Sequence, residues 1–578
     1  MATTENAHGD STVISTLSPT TLAERKDNPH IDDHPLPLTP ETEEQDAPTV
    51  APVRKRFNLP SNRLLSLDLL RGLAIFLMIT CNSQNGPEVF DILEHPEWIG
   101  FSVADCVFPS FLFISGVAIP LAMRGPSPSE PNYDHMNPGK FFVRQALRVF
   151  KRALSIMCLG YVLALYGLVQ LQVGGDQFRW PGVLARIGFC YGIVAWMHLL
   201  VLYRGRQPEK PLSIAYLLHK KDSKPATPPK KEETKSSNPW PWFAQVTLQY
   251  WLPIGCLVIW LIATYSGVKV DDVKCTKESM ILEPECSPQA YFDLKIFGTA
   301  HTYRHNNFDP EGALSTLTSI LNVWFGWFIG CTVREFNAQI KQTRADFKLR
   351  RDATLQSEDE EIPLQEQVFE QEMVVRTYTT LLGEWFWWGL LWMFVGLLFS
   401  LGLPLSKPSW TATFAVFHSG LSQTVLAILF FKFDGQPQLK KLARLHKDHQ
   451  GLALGVEPER AVETHQRSTM LNVYYAVDHF FRHWFRWGIK LVLGSMGRNA
   501  ILLYMCAELV TGTCFIIHAG PRDPETGERP DLWTASFVST WGKADIGGWG
   551  SLFYSLGFVS IWVCVAILLD HKKLYFKV

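Results

Sequence analysis

Long apolar stretches alternate with polar connections along most of this 578-residue chain. A helix needs about 20 consecutive apolar residues to cross the hydrocarbon core of a bilayer, so each such stretch predicts one membrane span. The pattern therefore predicts an all-α, polytopic integral membrane helix bundle of about ten transmembrane helices. The spans are expected near residues 65–83, 99–122, 150–171, 182–203, 243–266, 313–333, 379–402, 410–431, 493–517 and 549–569.

Polar segments flank and separate these spans. Residues 1–62 are rich in Ser, Thr, Pro, Asp and Glu and contain no apolar segment of the kind found in a secretory signal. We therefore expect a disordered N-terminal tail ahead of a transmembrane core at 63–578. Within the core, polar linkers are expected at 204–240, 334–376 and 432–470, and a long loop is expected at 267–312.

The net charge of −1 is uninformative, but Lys and Arg are distributed unevenly. They crowd the segment before the first span, the connection after the second, and alternate connections from there to the C-terminus. By the positive-inside rule these segments are cytosolic, which places both termini in the cytosol and the loop 267–312 on the exoplasmic side. Topology explains the basic runs better than nucleic-acid binding does, so no nucleic-acid partner is expected.

Two of the 11 Cys residues differ from the rest. Most lie in or beside apolar spans, where a thiol acts as a small hydrophobic group. Cys275 and Cys286 instead lie in the loop 267–312. An oxidising exoplasmic compartment would allow these two thiols to form a disulfide, which is our prediction, with two free loop thiols as the alternative.

Three charged residues interrupt the first two apolar stretches, namely Asp68, Arg71 and Asp105. A charge at the centre of a lipid-facing helix costs about 2.5 to 3.5 kcal/mol, so these side chains are expected to face protein or a wet cavity. Asp68 and Arg71 are three residues apart on one helical face, which predicts an ion pair within the helix. The alternative is that Arg71 supplies charge to a phosphate ligand.

Seven motifs carry a resemblance, and they occur in matching order from residue 63 to the C-terminus. The chain resembles the heparan-alpha-glucosaminide N-acetyltransferase family, in the form of microbial or fungal relatives that lack the lumenal N-terminal domain. The motifs are RLLSLDLLRG (63–72), HPEWIGFSVADCVFPSFLF (95–113), WPGVLARIGFCY (180–191), FDPEG (308–312), LPLSKPSWTATF (403–414), MGRNAILLYMCAE (496–508) and the tail HKKLYFKV.

The resemblance implies a membrane-embedded acyltransferase that moves an acetyl group from cytosolic acetyl-CoA to an amino sugar of the glucosamine type on the lumenal or exoplasmic side. Acetyl-CoA is the expected co-substrate, an amino sugar or glycan is the expected acceptor, and a homodimer is a possible assembly. The expected location is an endomembrane, of a vacuole or lysosome-like organelle or of the ER or Golgi, or the plasma membrane.

The family's essential loop histidine corresponds to His95, followed by Trp98 and Gly100, and its asparagine after the first span corresponds to Asn82. An imidazole suits acetyl transfer either as general base or as a nucleophile that carries the acetyl group. Both routes stay open. Arg186 could be a positively charged neighbour of the ring, or Asp105 could instead orient it, and the sequence leaves both open. Without the resemblance, a loop histidine beside proline is usually a solvated surface residue.

The remaining candidates divide between the two substrates. Arg71, Arg148, Arg152, Arg186 and Asn499 are expected to bind the cofactor, with the arginines supplying charge for the CoA phosphates. Trp98, Asp309, Glu311, Lys407 and Trp410 are expected to bind the acceptor. Each has a simpler explanation: acidic groups suit a helix N-terminus, and Lys and Trp are common at membrane interfaces.

No P-loop, dinucleotide-binding glycine motif, zinc-spaced Cys and His cluster or nucleophile elbow is present in the sequence, so no metal is expected. Two rival functions remain. A transporter of a sugar or anion would also need buried Asp and Arg residues. An O-acyltransferase would use the same chemistry on a hydroxyl of a glycan or lipid.

Overall fold

The computed structural model describes residues 64–86, 88–123, 138–171, 174–203, 240–268, 283–354, 364–453, 469–520, 522, 529–542 and 547–576. The predicted N-terminal tail at 1–62, nearly all of the linker 204–240 and Cys275 lie outside these residues. Throughout the part of the chain that is described, the secondary structure is helical apart from one isolated antiparallel bridge between His518 and Asp531.

The helices follow the predicted apolar stretches closely. They are α1 (Leu65–Asn82), α2 (Val107–Ala122), α3 (Pro138–Leu171), α4 (Val183–Tyr203), α5 (Trp240–Tyr265), α6 (Pro288–Ile296), α7 (Ala313–Thr354), α8 (Leu364–Phe399), α9 (Ala412–Phe430), α10 (Gln436–Ala453), α11 (Thr469–Arg498), α12 (Ala500–Ile516), α13 (Leu532–Thr540) and α14 (Trp549–His571).

Among the described residues, nine helices are long and apolar enough to cross a membrane, and the number rises to ten if the bent pair α11 and α12 forms one span. The predicted all-α, polytopic membrane bundle is therefore confirmed. The first two spans are joined by a loop that ends in a 3₁₀ turn, Val103–Cys106, so the second helix begins several residues after the predicted start at 99.

The predicted span at 493–517 corresponds to two helices with a sharp bend between them. Helix α11 ends at Arg498 and α12 begins at Ala500, with a bend of 80° between them. Asn499 leaves the helical conformation at this point, and its side-chain amide bonds the backbone of Leu574 and Phe576 in the C-terminal tail. Hydropathy does not reveal this bend because both halves are apolar.

The predicted linkers also contain regular structure. Helix α7 continues without a break beyond residue 333 to Thr354, α8 begins at Leu364, and α10 occupies much of 432–470. These segments are polar helices rather than extended connections. The domain boundaries themselves stay predictions.

Helices α2 and α7 pack closely at the centre of the bundle. A Cβ atom at Gly326 would collide with the backbone carbonyl of Phe113, so glycine allows the two backbones to approach. Around this contact lies the largest group of buried apolar side chains, including Leu112, Val117 and Trp327. The packing holds the start of α2, and with it Asp105, in a fixed position beside α9.

Contacts between loops define two ends of the bundle. We call one the His95 end; it carries the described loop residues 88–102, 174–182, 283–312 and 400–411. These loops bond one another, as when Gly100 donates its N–H to the Leu405 carbonyl at 2.9 Å. The opposite end carries the start of α1, where the N–H of Ser66 bonds Asp434 at 3.1 Å. Loops that alternate between two ends are what successive membrane spans require.

Candidate active site

His95, Asp105 and Lys407 meet at the His95 end. The Nδ1 atom of His95 lies 2.7 Å from Oδ1 of Asp105, and Nζ of Lys407 lies 3.0 Å from Nε2 of His95. Lys407 Nζ is also 3.4 Å from the same Asp105 oxygen. Nζ of Lys407 is also 3.1 Å from Nδ1, so it lies about equally close to both nitrogens of the ring. The tautomer that fits Asp105 donates Nδ1–H to the carboxylate and leaves Nε2 without a proton.

The loop between α1 and α2 holds the histidine by its backbone and by buried side chains. Gly100 has a φ of +138°, a conformation that favours glycine, and there its N–H bonds Leu405 two residues before Lys407. Trp98 is buried and packs edge-on against Phe308 at 5.1 Å between ring centroids. The H-x-x-W-x-G motif thus ties the histidine loop to the segment that carries Lys407.

Asp105 is held on both of its oxygens. While Oδ1 accepts from His95, Oδ2 accepts the backbone N–H of Ser102 at 3.1 Å. The carboxylate is 1% exposed, whereas the His95 side chain is 44% exposed. A buried, fixed carboxylate therefore orients an imidazole that is itself partly exposed.

Lys407 is more enclosed than its place in a loop suggests. Burial lowers the pKa of its ammonium group, and the nearby carboxylates of Asp105 and Glu311 oppose that effect. A lysine in this setting supplies positive charge and a proton close to His95. Lys407 is therefore a positively charged neighbour of His95, a role for which the sequence also offered Arg186.

Arg186 instead supports the FDPEG loop from below. It is buried and donates to the carbonyl of Pro310 at 2.8 Å and to the hydroxyl of Ser319 at 3.2 Å. Its guanidinium lies 5.1 Å from the ring centroid of Trp410. These contacts use the side chain for packing and loop support, which argues against the predicted cofactor role.

Trp410 is also an internal residue. It is 1% exposed, and its indole N–H donates to Oδ1 of Asn322 at 2.9 Å. The ring packs between Phe108 and Phe414. This burial argues against the predicted sugar-stacking surface, and of the pair Lys407 and Trp410 the lysine alone reaches the site.

The two acidic residues of FDPEG are anchored by Arg179, which the sequence analysis missed. Arg179 binds Asp309 through two nitrogens, with Nε 2.9 Å from Oδ2, and also pairs with Glu311. Asp309 is fully buried and further accepts the backbone N–H groups of Tyr303 and Glu311 at 2.8 Å. The oxygens of Asp309 are thus occupied. Glu311 retains some exposure, and its negative charge favours the protonated form of Lys407.

Asp293, in α6, lies beneath this loop and was also missed. Its carboxylate accepts the backbone N–H of Asp309 at 3.0 Å and that of Ala313, the first residue of α7, at 2.9 Å. Burial raises its pKa to about 7, in spite of these hydrogen bonds. Asp293 lies in the predicted polar loop 267–312 and belongs to no recognisable motif, so the sequence did not indicate its role.

Asn82 faces a carboxylate from another helix. Its amide donates to Oε1 of Glu508, in α12, at 2.9 Å. Asn82 is the last residue of α1, which leads into the histidine loop. Its partner Glu508 lies in the predicted span 493–517.

The other candidates for the cofactor lie away from His95. Arg71 pairs with Asp68 at 3.2 Å, as the spacing predicted, and Asn499 holds the tail. Arg148 lies 3.4 Å from the side-chain oxygen of Gln145, and Arg152 lies 5.0 Å from the Tyr191 ring centroid. Arg71 and Asn499 occupy the opposite end of the bundle, near the contact of Arg498 with Asp570.

The predicted disulfide stays a prediction because Cys275 lies outside the described residues. Cys286 is buried at the start of α6, whereas nine other cysteines are free thiols. Within the described ranges, no group of three or more His, Cys, Asp and Glu residues is arranged to hold a metal ion.

Comparison with known proteins identifies relatives of this chain. Residues 63–215, which include His95 and Asp105, match the family model described as "Heparan-alpha-glucosaminide N-acetyltransferase, catalytic". The Homo sapiens heparan-alpha-glucosaminide N-acetyltransferase is 27% identical over 311 residues, which cover 50% of this chain and 42% of the human protein. The Mus musculus protein of that name is 26% identical over 302 residues, covering 49% and 40%.

The chain thus spans less than half the length of the curated relatives it matches. The catalytic family model covers α1 to α4 and the loop that presents His95 to Asp105. The resemblance of this chain to the heparan-alpha-glucosaminide N-acetyltransferase family, predicted from its motifs, is therefore confirmed.

Proposed function

We propose that this protein is a membrane acetyltransferase that moves an acetyl group from acetyl-CoA to the amino group of a terminal, glucosamine-type sugar. The observation that carries the proposal is the cluster of His95, Asp105 and Lys407. Two of these residues lie inside the segment that matches the catalytic family model, and the third reaches them from a loop far along the chain.

In the general-base route, the acceptor amine attacks the thioester carbonyl carbon while Nε2 of His95 removes a proton from the amine. The new C–N bond forms, the C–S bond breaks, and the thiolate of CoA leaves with a proton returned from the site. Asp105 keeps the proton of the ring on Nδ1 and stabilises the positive charge that develops there. Lys407 stabilises the negative charge on the carbonyl oxygen or on the departing sulfur.

In the covalent route, Nε2 of His95 attacks the thioester first, giving an acetyl-imidazole and CoA. The acceptor amine then attacks the acetyl carbon, the C–N bond to the sugar forms, and the bond to the imidazole breaks. The same neighbours serve both routes. The half-exposed ring of His95 suits either one, since Nε2 must meet both substrates.

Carboxylates near the cluster suit a protonated amino sugar. The charge of Glu311 acts on Lys407 and Arg179 holds Glu311 in place, while Glu508 pairs with Asn82 at the end of α1. Asn82 is placed to donate a hydrogen bond to the carbonyl oxygen of the donor or to a hydroxyl of the acceptor. We assign binding of the acceptor to Glu311, Glu508 and Asn82. Trp98 and Asp309 help to hold these residues in position.

The distribution of Lys and Arg supports an exoplasmic His95 end and cytosolic termini. Acetyl-CoA would then enter from the opposite end, where Arg71 and the basic face of α3 with Arg148 and Arg152 suit its phosphates. A homodimer and an endomembrane location remain parts of this proposal that rest on the resemblance alone.

The proposal is tested with the purified, detergent-solubilised protein, radiolabelled acetyl-CoA and glucosamine-terminated glycans. His95→Ala should abolish formation of the acetamide product, whereas His518→Ala, at an exposed histidine in another loop, should retain it. Transfer by His95→Ala would remove this residue from the mechanism. Flux of ligand across liposomes without acetylated product would favour the transporter, and an ester product would favour the O-acyltransferase.

A further inference from the structure

A second histidine lies inside the bundle next to the cluster. His418, in α9, is 1% exposed, and its Nε2 atom is buried without a hydrogen-bond partner among the described residues. A buried polar atom normally finds a partner, because leaving it unpaired loses the hydrogen bond it made to water. The unpaired nitrogen of His418 therefore leaves one hydrogen-bonding position of the imidazole open to a ligand.

The surroundings of His418 are aromatic on three sides. Its ring centroid lies 4.2 Å from that of Phe414, 5.4 Å from that of Phe417 and 5.4 Å from that of Phe101. Phe101 belongs to the same loop as His95. These rings hold the imidazole in one place and provide no hydrogen-bond acceptor in the ring plane.

The loop of His95 contacts His418 through Phe101, whose ring packs on the imidazole. The charges of Asp105 and Lys407 also act on His418. About one helical turn deeper, Ser110 of α2 and Ser422 of α9 are joined by a hydrogen bond of 3.1 Å between their hydroxyl oxygens. The facing sides of α2 and α9 thus form a polar strip that leads from His95 into the bundle.

The other fully buried imidazole among the described residues, near the opposite end of α2, shows the contrast. His198, in α4, is 0% exposed, yet both of its nitrogens are used. Nε2 lies 3.2 Å from the carbonyl of Met123, and Nδ1 accepts the indole N–H of Trp327 at 3.1 Å. His198 has the contacts of a structural residue, whereas His418 lacks them.

We propose that His418 donates a hydrogen bond from Nε2–H to a carbonyl oxygen of the acetyl donor as the thioester arrives at His95. The inference rests on the proposed acetyl transfer and assigns a further residue that binds the acyl thioester. The unpaired nitrogen would then be satisfied only in the complex with the donor.

The test compares His418→Phe and His418→Gln with wild type for thermal unfolding and for the kcat and KM of acetyl-CoA. The aromatic surroundings should accept phenylalanine without loss of stability, because an unpaired polar group is removed. We expect kcat/KM for acetyl-CoA to fall about ten-fold or more in His418→Phe. His418→Gln retains an N–H donor and should recover part of that loss, while KM for the sugar stays unchanged in both variants.

His198→Gln serves as the matched control. We expect this variant to have a lower unfolding temperature and an unchanged KM for acetyl-CoA. Wild-type kinetics in His418→Phe would overturn the inference, as would an activity loss in both variants that follows a lower unfolding temperature. A wild-type protein that transfers no acetyl group contradicts the proposed function instead. The two failures are therefore separate results.

Discussion

Nζ of Lys407 lies 3.0 Å from Nε2 of His95, although 312 residues separate them in the chain. The contact joins the loop after α1 to the loop before α9, and the hydrogen bond from Gly100 to Leu405 holds the two loops together. The reaction centre proposed above therefore depends on pairing between loops as much as on the histidine. Four predictions follow from this arrangement and from the carboxylates around it.

Replacement of the lysine tests its role in charge stabilisation. Lys407→Met should lower kcat about 100-fold, because the group that stabilises the developing negative charge is lost. Lys407→Arg keeps the charge and should retain more activity. Acetyl transfer is measured at saturating acetyl-CoA, with Lys295→Met, at an exposed lysine of α6, as control. Full activity in Lys407→Met would show that the contact is incidental.

Replacement of Asp105 tests the orientation of the ring. Asp105→Asn should lower kcat by about 100-fold or more, because an amide no longer holds the proton on Nδ1 and the favoured tautomer is lost. The dependence of kcat on pH should change as well. Asp176→Asn, at an exposed carboxylate of the same end, should leave the profile as in wild type. An unchanged profile in Asp105→Asn would contradict the orienting role.

Substitution of Gly100 tests the link between the loops. Gly100→Ala places a side chain at a φ of +138° and within 3.1 Å of Pro96, so the loop must shift. The strain costs about 1 to 3 kcal/mol, and kcat should fall while the bundle stays folded. Gly175→Ala has open space around its Cβ position and should behave as wild type. Equal activity in the two variants would show that the loop tolerates the change.

Asp293 predicts a dependence of stability on pH. Its pKa in the folded protein is raised to about 7 by burial, above the value of about 4 expected in the unfolded chain. The folded state therefore holds the proton more tightly, and its contribution to stability is complete below pH 4 and is lost as the pH rises to about 7. Asp293→Asn should make the unfolding temperature less dependent on pH between these two values.

The measurement is thermal unfolding of wild type and Asp293→Asn in parallel from pH 4 to 8. The difference between them should change by a few degrees across this window and level off above it. Parallel curves for the two proteins would show that Asp293 does not titrate there.

Much of the fold was predictable because membrane insertion is a property of local composition. Runs of apolar residues gave the positions of most spans, and the Asp68 and Arg71 pair followed from their spacing on one helical face. The bend at Asn499 was not predictable, since its amide is satisfied by the backbone of Leu574 and Phe576, which lie more than seventy residues later. Local patterns contain no information on such a distant partner.

The sequence by itself determined that this chain is an all-α membrane protein and that His95 and Asp105 belong to a segment shared with an acetyltransferase family. Only the tertiary structure decided which charges surround the histidine. In the folded protein Lys407 contacts His95, and Arg186 and Trp410 are buried in the interior. Nε2 of His418 is buried without a hydrogen-bond partner among the described residues. The physical reason is that apolar periodicity specifies which segments leave water, whereas the packing of those segments selects the partners of each buried polar group.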